Sequence, residues 1–218
     1  MQESESELPG LSRATAIAGV MSMVEENNDF VVSTTGYTSR ELYRMQMGKK
    51  DRMGGNFYMA GSMGHALSIA QGVALAQPQR RVWCIDGDGA LLMQMGSLVA
   101  TMGLAVNNLV HVVLNNSCHE SVGGQCTAAS QDRAGAQAEF SFVDLAKGAG
   151  YLNVYRASTE EELVNLAEII KTTTGSFFLE IITRVHPAEN KALPRPKETL
   201  IEVKNNTSAF LRHTNPQD

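Results

Sequence analysis

A chain of 218 residues, 43% hydrophobic and 19% charged, is long enough for one substantial domain, and its length allows one or two. A net charge of −5, with no basic run longer than Lys49-Lys50, excludes the electrostatic footprint of a nucleic-acid binder. No apolar run approaches a membrane span, the stretch Met1 to Glu7 is acidic where a signal peptide would be basic and then apolar, and three cysteines give no disulfide framework, so a cytoplasmic protein without membrane or nucleic-acid partners is expected.

Residues 1–10 are polar and are read as a disordered N-terminus. Leu11, Ala14, Ile17, Ala18, Met21 and Val24 then recur at helical spacing and predict an amphipathic helix. Phe30 to Thr34 reads as the first strand, and Thr38 with Glu41 predicts a capping box for the helix after it. Gly48 to Arg52 is a polar loop. A short strand near Phe57 leads through the small residues Gly61-Ser62-Met63-Gly64 into a helix running to about Ala76, closed by Pro78. Arg81 to Ile85 has the continuous apolar character of a buried parallel strand, and a helix follows to about Met102, stopped by Gly103.

Leu109 to Leu114 is the next strand. Ser117 to Glu139 then lacks any apolar period, and a loop of that length in a compact domain is usually functional or mobile. A short helix from Phe142 ends at Gly148 and Gly150, Asn153 to Arg156 is a strand, Ser158 with Glu161 caps a helix striped by Leu163, Leu166 and Ile170, and Phe177 to Ile182 is the last strand. Residues 187–218, with Pro187, Pro194, Pro196 and Pro216, are left as a C-terminal tail without assigned structure. Six strands alternating with helices predict an α/β fold: three α/β/α layers around a mostly parallel sheet.

Chemistry concentrates at two strand ends. Asp88 between Gly87 and Gly89 follows one buried strand, and Asn115-Asn116 follows the next. A carboxylate, an amide oxygen and a nearby carbonyl form a hard donor set that suits Mg²⁺, while the glycines let backbone approach a phosphate. Ser62 to Ala66, small residues opening a helix, offer backbone N–H groups to an anion. Each half has a plainer reading, as a strand–turn–helix junction and as a capping asparagine. Cys118, His119 and Cys126 also suggest zinc, but no fourth ligand stands at finger spacing.

Gly-Asp-Gly, 25 residues and then Asn-Asn resembles the signature of thiamine diphosphate-dependent 2-oxo acid decarboxylases. Thr35 to Leu42, Gly61 to Ala66 and His119 to Gln125 further resemble the diphosphate-binding half, or β subunit, of the phosphonopyruvate and sulfopyruvate decarboxylases. The resemblance runs over most of residues 11–185, within a thiamine diphosphate-binding domain set at residues 11–186. It implies thiamine diphosphate and Mg²⁺ as cofactors, with Asp88, Asn116 and the Cys118 carbonyl on the metal. It gives Met63 the task of wedging between the cofactor's two rings, although Met63 also reads as an ordinary core methionine. Gly61, Ser62, Gly87, Gly89 and Ala90 would approach the cofactor through backbone, and Ser121 would help to cover the diphosphate.

The activity implied is decarboxylation of 3-phosphonopyruvate to phosphonoacetaldehyde and CO₂, or of sulfopyruvate to sulfoacetaldehyde. A substrate with a phosphonate or sulfonate needs a cationic or N–H-rich pocket, for which Arg40, Ser121 and the Gly123-Gly124 backbone are the candidates, Arg40 being the strongest single charge unless it is a solvated first-turn residue. His65 and His119 are candidate proton carriers, or else capping or cofactor-bonding histidines. The family also needs a pyrimidine-binding domain whose glutamate drives ylid formation. Nothing in residues 1–30 encodes one, so the resemblance implies a partner: an α subunit, or a separated N-terminal half. Two other classes stay open: a non-catalytic thiamine diphosphate-binding subunit, and a Rossmann oxidoreductase, which would want Gly-x-Gly-x-x-Gly where Thr35-Gly36-Tyr37-Thr38 stands.

Overall fold

The computed structural model describes residues 10–47, 55–130, 140–185, 190 and 193–213. The expected polar loop Gly48 to Arg52 and all of the expected N-terminus except Gly10 lie outside them. Six strands form one sheet: β1 (Phe30–Ser33), β2 (Asn56–Tyr58), β3 (Val82–Gly87), β4 (Leu109–Asn115), β5 (Asn153–Ala157) and β6 (Phe177–Ile182). Their order is β2-β1-β3-β4-β6-β5, and every pairing is parallel. All six strands expected from the apolar runs are present.

Side chains alternate across a strand, so each buried strand feeds two cores. Trp83, Ile85, Val110, Val112, Phe177 and Leu179 face one side. There they meet α1 (Arg13–Met23), α2 (Tyr37–Gln46) and α7 (Glu160–Thr172) through Ile17, Val20, Leu42, Leu163 and Leu166. Val82, Cys84, Leu109, Val113 and Phe178 face the other side. They meet α3 (Ala66–Ala76), α5 (Gly96–Gly103) and α6 (Phe142–Ala149) through Leu67, Ala70, Leu98 and Phe142. The result is the three-layer α/β/α arrangement.

Four local expectations are corrected. First, Thr38 does not cap α2: the helix begins at Tyr37 after Gly36, whose φ of 88° is a glycine conformation, and Glu41 bonds Arg44 instead. Second, the capping box of α7 is Thr159 with Glu162, one residue beyond the expected pair, and Glu162 also takes the Ser158 N–H. Third, the single helix expected after β3 is two, α4 (Asp88–Met93) and α5, broken at Gln94-Met95. Fourth, the C-terminal tail contains α8 (Leu200–His213), whose Phe210 lies 6.2 Å from Phe30 and packs on the second core.

One long-range pairing positions the site. Leu11 forms an isolated parallel bridge with Thr183, its N–H donating to Ile182 O and its carbonyl accepting from Arg184 N–H. That pulls Leu11 out of the expected helix, starts α1 at Arg13 under a Ser12 cap, and sets the first turn of α1 against the carboxyl ends of the strands.

Candidate functional site

Strand order reverses around β1, because the chain leaves it towards β2 and returns across it to β3. In open α/β sheets the crevice beyond such a switch point is where ligands sit. A cleft enclosing about 620 Å³, counting its solvent-open space, lies there. Thr34, Thr35, Tyr37 and Thr38 after β1, Met63 after β2, Gly87 to Ala90 after β3, Asn116 to Val122 apart from Ser117 after β4, Thr183 after β6, and Arg13 line it.

Asp88 opens α4 at the end of β3, and Asn116 follows β4, the adjacent strand. The Asp88 carboxylate is buried; one oxygen accepts from Thr127 Oγ1 at 3.2 Å. Burial, partly offset by hydrogen bonds from the Gly89 backbone and Thr127, pushes its pKa from the ordinary 3.8 up to about 6. A buried carboxylate that is reluctant to ionise is one to which a cation brings a large gain. Thr34 Oγ1, also lining the cleft, is buried without a hydrogen-bond partner. Together with the Asn116 amide oxygen and the Cys118 carbonyl, the donor set is all oxygen and hard, which fits a Mg²⁺–diphosphate.

The loop after Asn116 leans on two glycines. A Cβ on Gly89 would fall 2.6 Å from the His119 ring, and one on Gly36 would fall 3.0 Å from Ser121 Oγ. Only glycine at these turns lets His119 and Ser121 close on the strand ends. The loop's base is fixed by His119 N–H to Gln125 O at 2.7 Å and Thr127 N–H to Ser117 O at 2.9 Å.

Of the sequence-predicted residues, Asp88, Asn116, Cys118, Met63, Gly87, Gly89, Ala90, His119 and Ser121 share this cleft. Gly61 and Ser62 are exposed beside Met63, both with positive φ, at 69° and 47°. Arg40 and His65 do not line the cleft. The Arg40 guanidinium lies 5.3 Å from the Tyr37 ring centre, and His65 is exposed, its Nδ1 at 3.2 Å from Met63 O, where it supports the turn carrying Met63. Among the described residues the Cys/His/Asp/Glu group with ligand atoms in mutual reach is Cys84, Asp86 and His111 in the second core, not Cys118, His119 and Cys126.

The sequence reading missed Arg13 and Glu120, which line the cleft, and Thr127, which bonds Asp88. Arg13 had a signal: it continues the buried stripe Ile17, Val20, Val24 at helical spacing, and a charge on an apolar face needs a partner. Glu120 and Thr127 stand in an aperiodic loop that gave none.

The sequence matches the family described as thiamine pyrophosphate enzyme, C-terminal TPP binding domain, over residues 34–181. It is 38% identical over 210 residues to a phosphonopyruvate decarboxylase of Streptomyces viridochromogenes, covering 93% of this chain and 48% of that protein. It is 39% identical over 147 residues to the sulfopyruvate decarboxylase subunit beta of Methanothermobacter thermautotrophicus, covering 67% of this chain and 75% of that subunit. The chain thus spans about half or less of the phosphonopyruvate decarboxylases it matches, 48% and 39%. Among solved structures, the thiamine diphosphate-dependent 4-hydroxybenzoylformate decarboxylase of Rhodococcus jostii RHA1 shares the fold with a TM-score of 0.63 at 22% identity, covering 86% of this chain and 35% of that one. No helix among the described residues is long and apolar enough to cross a membrane.

Proposed function

This chain belongs to the family of thiamine pyrophosphate enzyme C-terminal TPP-binding domains, and from that premise we propose that it anchors Mg²⁺–thiamine diphosphate in a decarboxylase converting 3-phosphonopyruvate to phosphonoacetaldehyde and CO₂. The observation carrying the reading is that Asp88 and Asn116, at the ends of neighbouring parallel strands, line one cleft with Cys118 and Met63. In this reading residues 11–186, together with α8, form the cofactor-binding domain.

Bound thiamine diphosphate supplies a thiazolium cation that takes up the electron pair released as CO₂ departs. The chain's own work is to hold and orient. Asp88, Asn116 and the Cys118 carbonyl would hold the Mg²⁺, which would offset the negative charge of the diphosphate. The Gly87, Gly89 and Ala90 backbone, with Gly61 and Ser62, would approach the cofactor, and Ser121 would help to cover the diphosphate. Met63 would pack against the cofactor's rings, and His65 supports the turn that carries Met63. His119, seated on Gly89, is the cleft histidine able to carry a proton. Arg40, outside the cleft, is left to a partner interface or solvent.

A partner chain with the pyrimidine-binding domain belongs to the proposal, because relatives are named as β subunits. The same names favour a second reading, sulfopyruvate decarboxylation by a split enzyme, since the chain covers 75% of one such subunit. Mixing the purified chain with its partner subunit, thiamine diphosphate and Mg²⁺, and measuring CO₂ from each substrate, tests both. Faster turnover of 3-phosphonopyruvate is expected, and faster turnover of sulfopyruvate selects the second reading. Turnover by the chain alone overturns the shared-site proposal.

A further inference from the structure

An asparagine can ligate a cation only through Oδ1, since its other terminal atom is an NH₂ donor. Its two ends are nearly equal in shape, so a side chain free to rotate presents the wrong atom much of the time. Asn116 is not free. Its Nδ2 donates to Glu120 Oε2 at 3.2 Å, and its Oδ1 accepts from the Cys118 backbone N–H at 3.0 Å. Both bonds select the same orientation, and a carbonyl oxygen with one such bond keeps a second lone pair for a cation.

Glu120 is itself fixed from elsewhere in the chain. Arg13 Nη1 donates to the same Oε2 at 2.8 Å, and Asn190 Nδ2 donates to Oε1 at 2.8 Å. The Arg13 side chain is only 8% exposed; it also donates to Asn190 Oδ1 at 2.6 Å and lies 3.8 Å from the Glu41 carboxylate. Charge-assisted bonds of this kind are among the stronger ones, and burial strengthens them further. Glu41 is paired with Arg44 as well, so two carboxylates and two guanidinium groups balance, and Arg13 is already committed to acceptors rather than free to repel a cation in the cleft.

We infer that Glu120 and Arg13 are positioning residues that hold the Asn116 amide with its oxygen committed to the cation. The inference rests on the metal site proposed above and assigns it a second layer: Arg13 orders Glu120, and Glu120 orders Asn116. Partners behind a ligand typically change metal affinity by about 10–100-fold when removed.

The test uses the full chain with thiamine diphosphate at fixed concentration and Mg²⁺ as the titrant, binding being followed by calorimetry. Glu120→Ala is expected to raise the Mg²⁺ requirement by about 10–100-fold. In the unloaded chain the same change is expected to move the Asn116 side-chain amide resonances in a ¹H–¹⁵N spectrum. The decisive arm is the Asn116→Asp background. There both terminal atoms are oxygens, so adding Glu120→Ala should cost nothing further in Mg²⁺ requirement. A merely structural role for Glu120 would persist in that background and overturn the inference. Should Glu120→Ala not fold, Glu120→Asp decides: it keeps a counter-charge for Arg13 but, one methylene shorter, draws its carboxylate back from Asn116, so a higher Mg²⁺ requirement supports the inference and an unchanged one overturns it. Wild-type binding with an unchanged Glu120→Ala requirement refutes the positioning role and leaves the cofactor site standing. No Mg²⁺-dependent binding by wild type removes the site and the inference together.

Discussion

Asn115 and Asn116 are neighbours with the same side chain, and each donates its amide to a glutamate that an arginine holds in turn. For Asn115 the chain is Glu180 Oε1 at 2.7 Å, then Arg156 Nε on Oε2 at 2.8 Å. For Asn116 it is Glu120 and Arg13. Even their oxygens match, since Asn115 accepts from Ser117 N–H at 3.1 Å as Asn116 does from Cys118. The difference is one of parity. Successive residues at a strand end turn to opposite faces of the sheet. Asn115 therefore ties the adjacent strand β6 down through Glu180, and Asn116 faces the cleft under α1. One hydrogen-bonding device, used twice, serves as scaffold on one face and, in the function proposed above, positions a cation ligand on the other. Residues on the scaffold side should supply stability, and residues on the cleft side should cost it.

The largest expected effect sharpens that contrast. Burial lifts the Asp88 pKa from 3.8 to about 6, so the unfolded chain ionises this carboxyl first as pH rises. The unloaded fold carries no penalty below about pH 4, loses stability between pH 4 and 6, and bears the full cost above that, about 3 kcal/mol. Asp88→Asn should therefore stabilise the unloaded chain by up to about 3 kcal/mol at pH 8 and by little at pH 4. Paired denaturant titrations at the two pH values check this, and equal gains at both would break the account of the cleft side.

On the scaffold side the sign reverses. Glu180→Gln removes a charge that serves both Asn115 and Arg156 and should cost about 1–3 kcal/mol of stability by urea unfolding. Its Mg²⁺ requirement for cofactor binding should stay at the wild-type value. A raised requirement would show that the two asparagines are not separable. The smallest effect is expected at Arg40, which rests on Tyr37 outside the cleft. Arg40→Ala should change stability by about 0.5 kcal/mol or less and leave cofactor binding as it was. Lost binding would return Arg40 to the site.

Why some of this was legible in the sequence and some was not follows from distance along the chain. The strands announced themselves through runs such as Val82 to Ile85, because a parallel strand buried on both faces is apolar throughout. Asp88 and Asn116 could be read because each follows its own strand directly. The start of α1 could not, because Leu11 is claimed by Thr183, far along the chain. The helix α8 was hidden because its stripe is thin, with Lys204-Asn205-Asn206 beside a single strongly buried Val203, and its packing on Phe30 is tertiary. The clamp on Asn116 draws on Arg13, Glu120 and Asn190, three distant stretches that no local spacing connects.

The central claim is that the cleft beyond β3 and β4 is a Mg²⁺-dependent diphosphate site. Calorimetric titration of thiamine diphosphate with Mg²⁺ into the chain and into its Asp88→Ala variant, each alone and with the partner subunit added, tests it most directly. The account predicts binding to wild type that disappears in Asp88→Ala. Binding that survives the substitution, or that never appears with the partner present, would contradict it.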